Sequence, residues 1–203
     1  ILLLFGDGLG SFGSPVPVAV GSNNGALRVG DLNVDGKPDI VVTRVPNQVT
    51  TPLGDGIGGF GAPVSYTVGS RPASVAIGNF NGDAAPDLAV ANTVSTSVSI
   101  LIGTGCGAFG TPDNILAGAA PQYITTGDYD LNGTVDLAVA DGVSNARVIY
   151  GNGNGTFTLG PNYPVGNTPR WIASGDFNID GRPDLVTANF NSNDASVLLN
   201  TCV

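Results

Sequence analysis

The chain has 203 residues and a formal net charge of −9; its 16 acidic residues are all Asp, set against Lys37 and six Arg. That balance speaks against nucleic acid, whose phosphates need a basic surface. With no His present, His-based triads, zinc–His sites and His general bases are excluded. The absence of Glu, with 31 Gly and 14 Pro, points away from helix and towards turns and short strands. No apolar run approaches the roughly 18 residues of a membrane span.

In chain order, residues 1–5 form a short apolar run, too short for the core of a signal peptide and without a basic flank. As Met is absent throughout, the chain reads as a mature product or a piece of a longer one. A glycine-rich turn follows, Gly6-Asp-Gly-Leu-Gly-Ser-Phe12. It returns as Gly54-Asp-Gly-Ile-Gly-Gly-Phe60, Gly103-Thr-Gly-Cys-Gly-Ala-Phe109 and Gly151-Asn-Gly-Asn-Gly-Thr-Phe157. Alternate glycines supply positive φ for a tight connection. No helix or lysine adjoins the turn, so it is not read as a phosphate loop, and its Phe is expected to pack between repeats.

Beyond each turn comes a β-like run such as residues 63–68, then a second, such as 74–77 or 171–174, leading into an acidic loop. After the loop come runs at 40–42, 88–90, 137–139 and 185–187, then a further set at 98–102, 148–150 and 197–199. The loops read Asp31-Leu-Asn-Val-Asp-Gly-Lys-Pro-Asp39, Asn79-Phe-Asn-Gly-Asp-Ala-Ala-Pro-Asp87, Asp128-Tyr-Asp-Leu-Asn-Gly-Thr-Val-Asp136 and Asp176-Phe-Asn-Ile-Asp-Gly-Arg-Pro-Asp184. Their starts lie 48, 49 and 48 residues apart, and the landmark phenylalanines and Gly21, Gly69, Gly118 and Gly166 keep the same steps. About four short strands in such a period make one propeller blade. We therefore expect residues 1–203 to form a single all-β β-propeller array of about four blades of four antiparallel strands. The β-helix alternative usually has much shorter repeats.

The loops carry the candidate chemistry. In D-x-[ND]-x-[DN]-G-x-x-D, side-chain oxygens at positions 1, 3 and 5 converge when the loop curls. Gly at position 6 permits the sharp turn, a carbonyl contributes near position 7, and Asp at position 9 closes an oxygen-only shell suited to a hard cation. The candidate ligands are Asp31, Asn33, Asp35, Lys37 and Asp39 in the first loop, and Asn79, Asn81, Asp83, Ala85 and Asp87 in the second. They are Asp128, Asp130, Asn132, Thr134 and Asp136 in the third, and Asp176, Asn178, Asp180, Arg182 and Asp184 in the fourth. Lys37, Ala85, Thr134 and Arg182 enter through their carbonyls. The chemistry suits Ca²⁺, three to four ions in all, and loop two, with Ala84 for the turn Gly, is the weakest site. The plain alternative is a set of Asx-rich turns with no ion. Position 2 (Leu32, Phe80, Tyr129, Phe177) points the other way, into the core.

These motifs, with Phe60-Gly-Ala-Pro63 and its variants Phe12-Gly-Ser-Pro15 and Phe109-Gly-Thr-Pro112, resemble the FG-GAP (VCBS) repeat family along essentially the whole chain. Departures are the extra residue in Phe157-Thr-Leu-Gly-Pro161, Val135 where Pro is usual, and the altered second loop. The resemblance implies a secreted or cell-surface β-propeller, extracellular in location, in which calcium braces the blades and ligands bind elsewhere. It implies a non-enzymatic binding, adhesion or structural assembly module, a filament component included. Its partners would be a protein or glycan at the cell surface, or copies of itself. The alternative is a carbohydrate-active enzyme or its accessory domain, using two of Asp7, Asp55, Asp113, Asp141 and Asp194 as a carboxylate pair. Asp7 and Asp55 occupy equivalent turns, which favours a surface-turn role.

Three closures stay open: part of a larger propeller, a closed four-bladed ring, or an assembly through terminal strands. In the last, β-strand addition would cover residues 1–5, and Cys202 could reach Cys106 of a neighbour. Trp171 is expected in the core. Tyr66, Tyr123, Tyr150 and Tyr163 fall on strands or their edges. Asn132 and Asn154 head glycosylation-type triplets, of which Asn154, in an exposed turn, is the better acceptor.

Overall fold

The computed structural model describes residues 1–201. Strand-forming runs bounded by Gly, Asn and Pro give only β structure, in antiparallel sheets that follow one another along the chain. A two-stranded unit comes first, β1 (Leu2–Leu3) with β2 (Val16–Pro17). Three complete blades follow: β3 (Asn24–Gly30), β4 (Asp39–Arg44), β5 (Gln48–Thr51) and β6 (Val64–Thr67); β7 (Pro72–Gly78), β8 (Asp87–Asn92), β9 (Ser97–Leu101) and β10 (Asp113–Leu116); β11 (Tyr123–Gly127), β12 (Asp136–Ala140), β13 (Asn145–Gly151) and β14 (Phe157–Pro164). The last blade has three strands, β15 (Pro169–Gly175), β16 (Asp184–Asn189) and β17 (Asp194–Leu198).

The expected strand periodicity is therefore the observed one, and the fold is a β-propeller arrangement. Its inner strands touch in sequence, β3 to β7 to β11 to β15, with no comparable contact from β15 back to β3. A closed four-bladed ring is thus not what the chain forms here.

The core lies between blades, as stacked blades require. One apolar cluster joins Leu32, Val41 and Val49 of the first full blade to Val75, Leu88 and Phe109 of the second. Another joins Phe80 and Ile100 to Ile124 and Leu137, and a third joins Tyr129 and Val148 to Ile172 and Leu185. Covered on both faces, β8, β9 and β12 are buried throughout, which is why they read as unbroken apolar or small runs rather than alternating ones.

Three packing expectations need correction, at Trp171, Phe177 and Phe12. Trp171 is 59% exposed and stacks on Tyr123, ring centroids 4.7 Å apart, because no blade covers that side of β15. Phe177 is exposed for the same reason, unlike Leu32, Phe80 and Tyr129 at the same repeat position. Of the landmark phenylalanines, Phe109 is buried, Phe60 and Phe157 pack against interblade clusters, and Phe12 is exposed. Asn154 is exposed, as expected for its turn. Cys106 is exposed, and its expected partner Cys202 lies outside the described residues.

Candidate metal centre

Each acidic loop joins the first and second strands of a blade: β3 to β4, β7 to β8, β11 to β12 and β15 to β16. The curl needs two left-handed residues. Position 6 takes one, with Gly36, Gly133 and Gly181 at φ of 80°, 84° and 82°, and Ala84 at 70°. Position 4 takes the other, and here Val34, Leu131 and Ile179 all sit at φ of 60°. For β-branched Val and Ile this is a strained conformation. Neither its location nor its cost is visible in the motif, whose signal is the Gly at position 6.

Side-chain oxygens hold the curl by accepting backbone N–H groups. Asp31 accepts from Asp35 at 3.0 Å and Gly36 at 2.8 Å, Asp128 from Asn132 at 3.1 Å and Gly133 at 2.9 Å, and Asp176 from Asp180 at 3.1 Å and Gly181 at 2.8 Å. Asn79 accepts instead from Gly82 at 2.8 Å, one step earlier. At position 3, Asn33, Asn81, Asp130 and Asn178 each accept from the position 5 amide. At position 5, Asp35, Asp83, Asn132 and Asp180 accept from the amides of Lys37, Ala85, Thr134 and Arg182. Lys37 adds a 3.4 Å ion pair to Asp35, which at this exposure contributes little.

The position 9 aspartates behave differently. Asp39, Asp87, Asp136 and Asp184 are fully buried. One oxygen of each accepts from the position 2 amide, at Leu32, Phe80, Tyr129 or Phe177. The other accepts at 2.7 Å from Gly54, Gly103, Gly151 or Asn200, where the third strand ends. Asp39, Asp87 and Asp136 are therefore staples between the loop and the glycine-rich turn of their own blade, and Asp184 ties its loop to the end of β17 in the same way. The turn glycines serve this closeness: a Cβ on Gly54, Gly103 or Gly151 would meet the carbonyl of Pro38, Pro86 or Val135 at 2.1 to 2.3 Å. Gly8, Gly10, Gly56 and Gly58 do supply the positive φ expected of the alternating glycines. The glycine repeated at the head of each turn was the signal for the staple.

The third loop brings Asp128, Asp130 and Asp136 together, with carboxylate oxygens within 4.8 Å of one another; no other such acidic group occurs among the described residues. In loops one and four the three aspartates do not converge this closely. Burial pushes the Asp136 carboxyl above its ordinary value against the pull of two backbone N–H bonds, and the Asp130 charge adds to the rise. Burial likewise raises Asp87, with Asp83 a smaller contributor. A raised, buried carboxylate facing another carboxylate is an arrangement that a bound cation relieves. An all-oxygen donor set at this spacing fits a hard divalent ion.

Of the five aspartates outside the loops, Asp113 is exposed at the start of β10 and the other four are engaged locally. Asp7 accepts from Leu9 and Ser11, Asp55 from Ile57 and Gly59, and Asp141 from Val143, Ser144 and Asn145. Asp194 accepts from Asn189 and Ser192.

A family model described as an FG-GAP-like repeat matches residues 79–139 and 128–187, together more than half of the chain. No curated protein matches the chain. Among solved structures, an Agrocybe aegerita lectin that recognises non-reducing terminal N-acetylglucosamine is similar over 98% of this chain and 60% of its own, with a TM-score of 0.64 at 18% identity. A functionally unknown protein from Desulfotomaculum acetoxidans is similar over 92% of this chain and 60% of its own, with a TM-score of 0.62 at 16% identity. BBS1N, solved in complex with ARL6DN, gives 90%, 58%, 0.60 and 14% in the same order. The chain thus spans about three fifths of the length of these structures, and at such identities the likeness concerns the fold.

Proposed function

This chain belongs to the FG-GAP-like repeat family, and from that premise we propose that it is a calcium-braced, non-enzymatic binding module working outside the cell. The observation that carries this reading is the convergence of Asp128, Asp130 and Asp136 within 4.8 Å in a loop already curled for it. Calcium there would supply a hard charge that neutralises the carboxylates and ties loop to blade. Its holders would be those three aspartates, Asn132 and the Thr134 carbonyl. The first and fourth loops would follow, with Asp31, Asn33, Asp35 and Asp39, and with Asp176, Asn178, Asp180 and Asp184. Four ions would leave a net charge of about −1 from −9, which supports a count of three to four. The strain at Val34, Leu131 and Ile179 is compatible with a loop shaped for an ion.

A binding role is favoured by the local engagement of Asp7, Asp55, Asp141 and Asp194, each of which serves its own turn. A glycan or protein at the cell surface is the proposed partner, and the lectin of similar fold supports the glycan. Loops that need about 10⁻⁴ to 10⁻³ M calcium suit an extracellular setting. The test is a calorimetric calcium titration of the metal-stripped chain, followed by a glycan panel that includes terminal N-acetylglucosamine, read with calcium and with chelator. We expect saturable binding of three to four ions and calcium-dependent retention of a glycan. Absence of calcium heat at millimolar concentration would sink the metal reading, and a silent panel would sink the glycan.

A further inference from the structure

The hairpins that join the second and third strands of each blade lie at the end of the molecule away from the acidic loops and glycine-rich turns. Each hairpin carries one exposed apolar side chain near its tip: Val45, Val94, Val143 and Phe190, 45% to 60% exposed. The first three stand in blades with a neighbour on both sides, so their exposure is a property of the hairpin itself. Backbone hydrogen bonds strap the hairpins together. Arg71, in the connection between β6 and β7, donates its N–H to the Pro46 carbonyl of one hairpin at 2.7 Å and accepts from Thr93 of the next at 3.0 Å. Thr168 likewise joins Val143 to Phe190, at 2.7 and 2.9 Å. Both connecting residues hold the left-handed conformation, at φ of 57° and 55°. The apolar tips are thereby a fixed row.

Charge is divided between the same two ends. All Asp but Asp141 and Asp194 lie at the loop end, opposed there by Lys37 and Arg182. The hairpin end sets Arg44, Arg71, Arg147 and Arg170 against those two. One end is thus strongly negative and the other mildly positive. Asp141 is 5% exposed and spends its charge on three backbone N–H groups. No ion pair engages these four arginines among the described residues. Arg71 and Arg170 are exposed, and the Arg170 guanidinium lies 3.7 Å over the Phe190 ring, which puts a cation and an apolar tip at one spot. The seven residues of β3 set the two ends about 20 Å apart. Screening in physiological salt acts within about 8–10 Å, so a surface at the hairpin end meets arginine rather than the acidic loops.

We propose that the hairpin end docks reversibly on an anionic lipid surface, its apolar tips entering the boundary between headgroups and acyl chains and its arginines meeting lipid phosphate. Apolar side chains and positive charge on one face are the two signals that interfacial binding combines. The guanidinium fork matches phosphate. A protein partner fits the face less well. It would have to be shaped round single aliphatic tips set among Ser, Asn and Thr, whereas the cores of protein interfaces are built on aromatic anchors. A fluid interface takes each tip without any complementary shape. The docking rests on neither the calcium nor the glycan reading, and it leaves the loop end turned away from the membrane.

The test is flotation of the full chain, in calcium buffer, with vesicles of phosphatidylglycerol and phosphatidylcholine in equal parts, against vesicles of phosphatidylcholine alone. Wild type is expected to float with the anionic vesicles and not with the neutral ones. Raising salt from about 0.1 M to about 1 M should release it. Arg71→Gln and Arg170→Gln should each weaken partitioning about fivefold. Val94→Asp combined with Val143→Asp should weaken it about tenfold or more. Ile57→Asp, at a position 87% exposed but at the loop end, is the control and should float like wild type. All these side chains are exposed, so an unchanged circular dichroism spectrum serves as the folding check, and Val94→Asp alone replaces the paired variant if that one fails it. A folded wild type that floats with neither vesicle would overturn the proposal and leave the hairpin end to a protein partner. Equal flotation with neutral vesicles, or hairpin variants that float like wild type, would overturn it too. So would loss in Ile57→Asp alone, the pattern of calcium bridging through the acidic loops.

Discussion

The second and third loops share one backbone course and differ in what their side chains offer. Asp136 and Asp87 make the same two staples, to Tyr129 and Gly151 and to Phe80 and Gly103. Around them the third loop sets Asp128 and Asp130 where the second sets Asn79 and Asn81, and Gly133 where the second sets Ala84. Only the third gathers three carboxylates. The staple and the acidic cluster are therefore separable features of one motif: position 9 makes the staple in both loops, whereas positions 1 and 3 decide whether further carboxylates gather beside it.

The largest test of that separation is calcium removal. A site held at 100 times its Kd adds about 2.7 kcal/mol to stability, so chelation should lower the melting temperature by several degrees or more. Asp130→Asn should remove most of the third loop's share of that shift. Asn81→Ala should leave the shift unchanged, since loop two lacks the acids. Scanning calorimetry with and without chelator reads both, and equal effects of the two substitutions would erase the distinction between the loops.

Next in size are the staples. An amide in place of either buried carboxylate turns one acceptor into a donor facing a backbone N–H. Asp87→Asn and Asp136→Asn should each cost about 1–3 kcal/mol. In chelator the two losses should match. In calcium the Asp136 variant should lose more, because it also gives up a ligand. Urea denaturation of both variants in both buffers checks this, and a loss confined to calcium buffer would show that position 9 serves only the ion.

A smaller effect separates the two loops at position 6. Ala84 holds φ of 70° where the others have Gly, a conformation that costs a residue with a Cβ about 1–2 kcal/mol. Ala84→Gly recovers part of this against the greater chain entropy of Gly, about 0.5–1 kcal/mol. A net gain of a few tenths to about 1 kcal/mol is expected by urea denaturation. The reciprocal Gly133→Ala should lose a similar amount.

How far this architecture was readable from sequence follows from what a repeat can report. A period of 48 to 49 residues with three landmarks in step locates blades, loops and interblade phenylalanines, because each is a property of a unit. Burial of Leu32, Phe80 and Tyr129 was legible for that reason. The exposure of Phe177, Phe12 and Trp171 was not, since it depends on whether a neighbouring unit is present, and the pattern within a unit is blind to that. The staples were hidden in another way. Asp39 and Gly54 are 15 residues apart and meet only after β4 and β5 have paired. In the loops, charge count ranked one, three and four together; close convergence of three carboxylates in the third alone depends on side-chain geometry that composition does not carry.

The least effect lies in the glycine-rich turns, where the same like-for-like comparison can be made. Asp55 in the first full blade corresponds to Thr104 in the second. Hydrogen bonds, first from the Ile57 amide and then from Gly59, outweigh its slight desolvation and hold the Asp55 carboxyl below the ordinary aspartate value. Threonine at 104 instead donates its hydroxyl to the Ala108 carbonyl and does not titrate in this range. A carboxyl depressed on folding stabilises the native state above its unfolded pKa, near 3.9, and that contribution disappears as pH falls through the lower folded value. Asp55→Asn should therefore give up that small contribution at neutral pH, converge with wild type in acid, and so flatten the acid limb of the melting curve below about pH 4. Thr104→Val should leave the shape of that limb unchanged. Melting temperatures from pH 2.5 to 7 in chelator, where the metal loops are silenced alike in all three proteins, provide the readout. An acid limb identical in Asp55→Asn and wild type would mean that the turn folds without the help of its carboxylate charge.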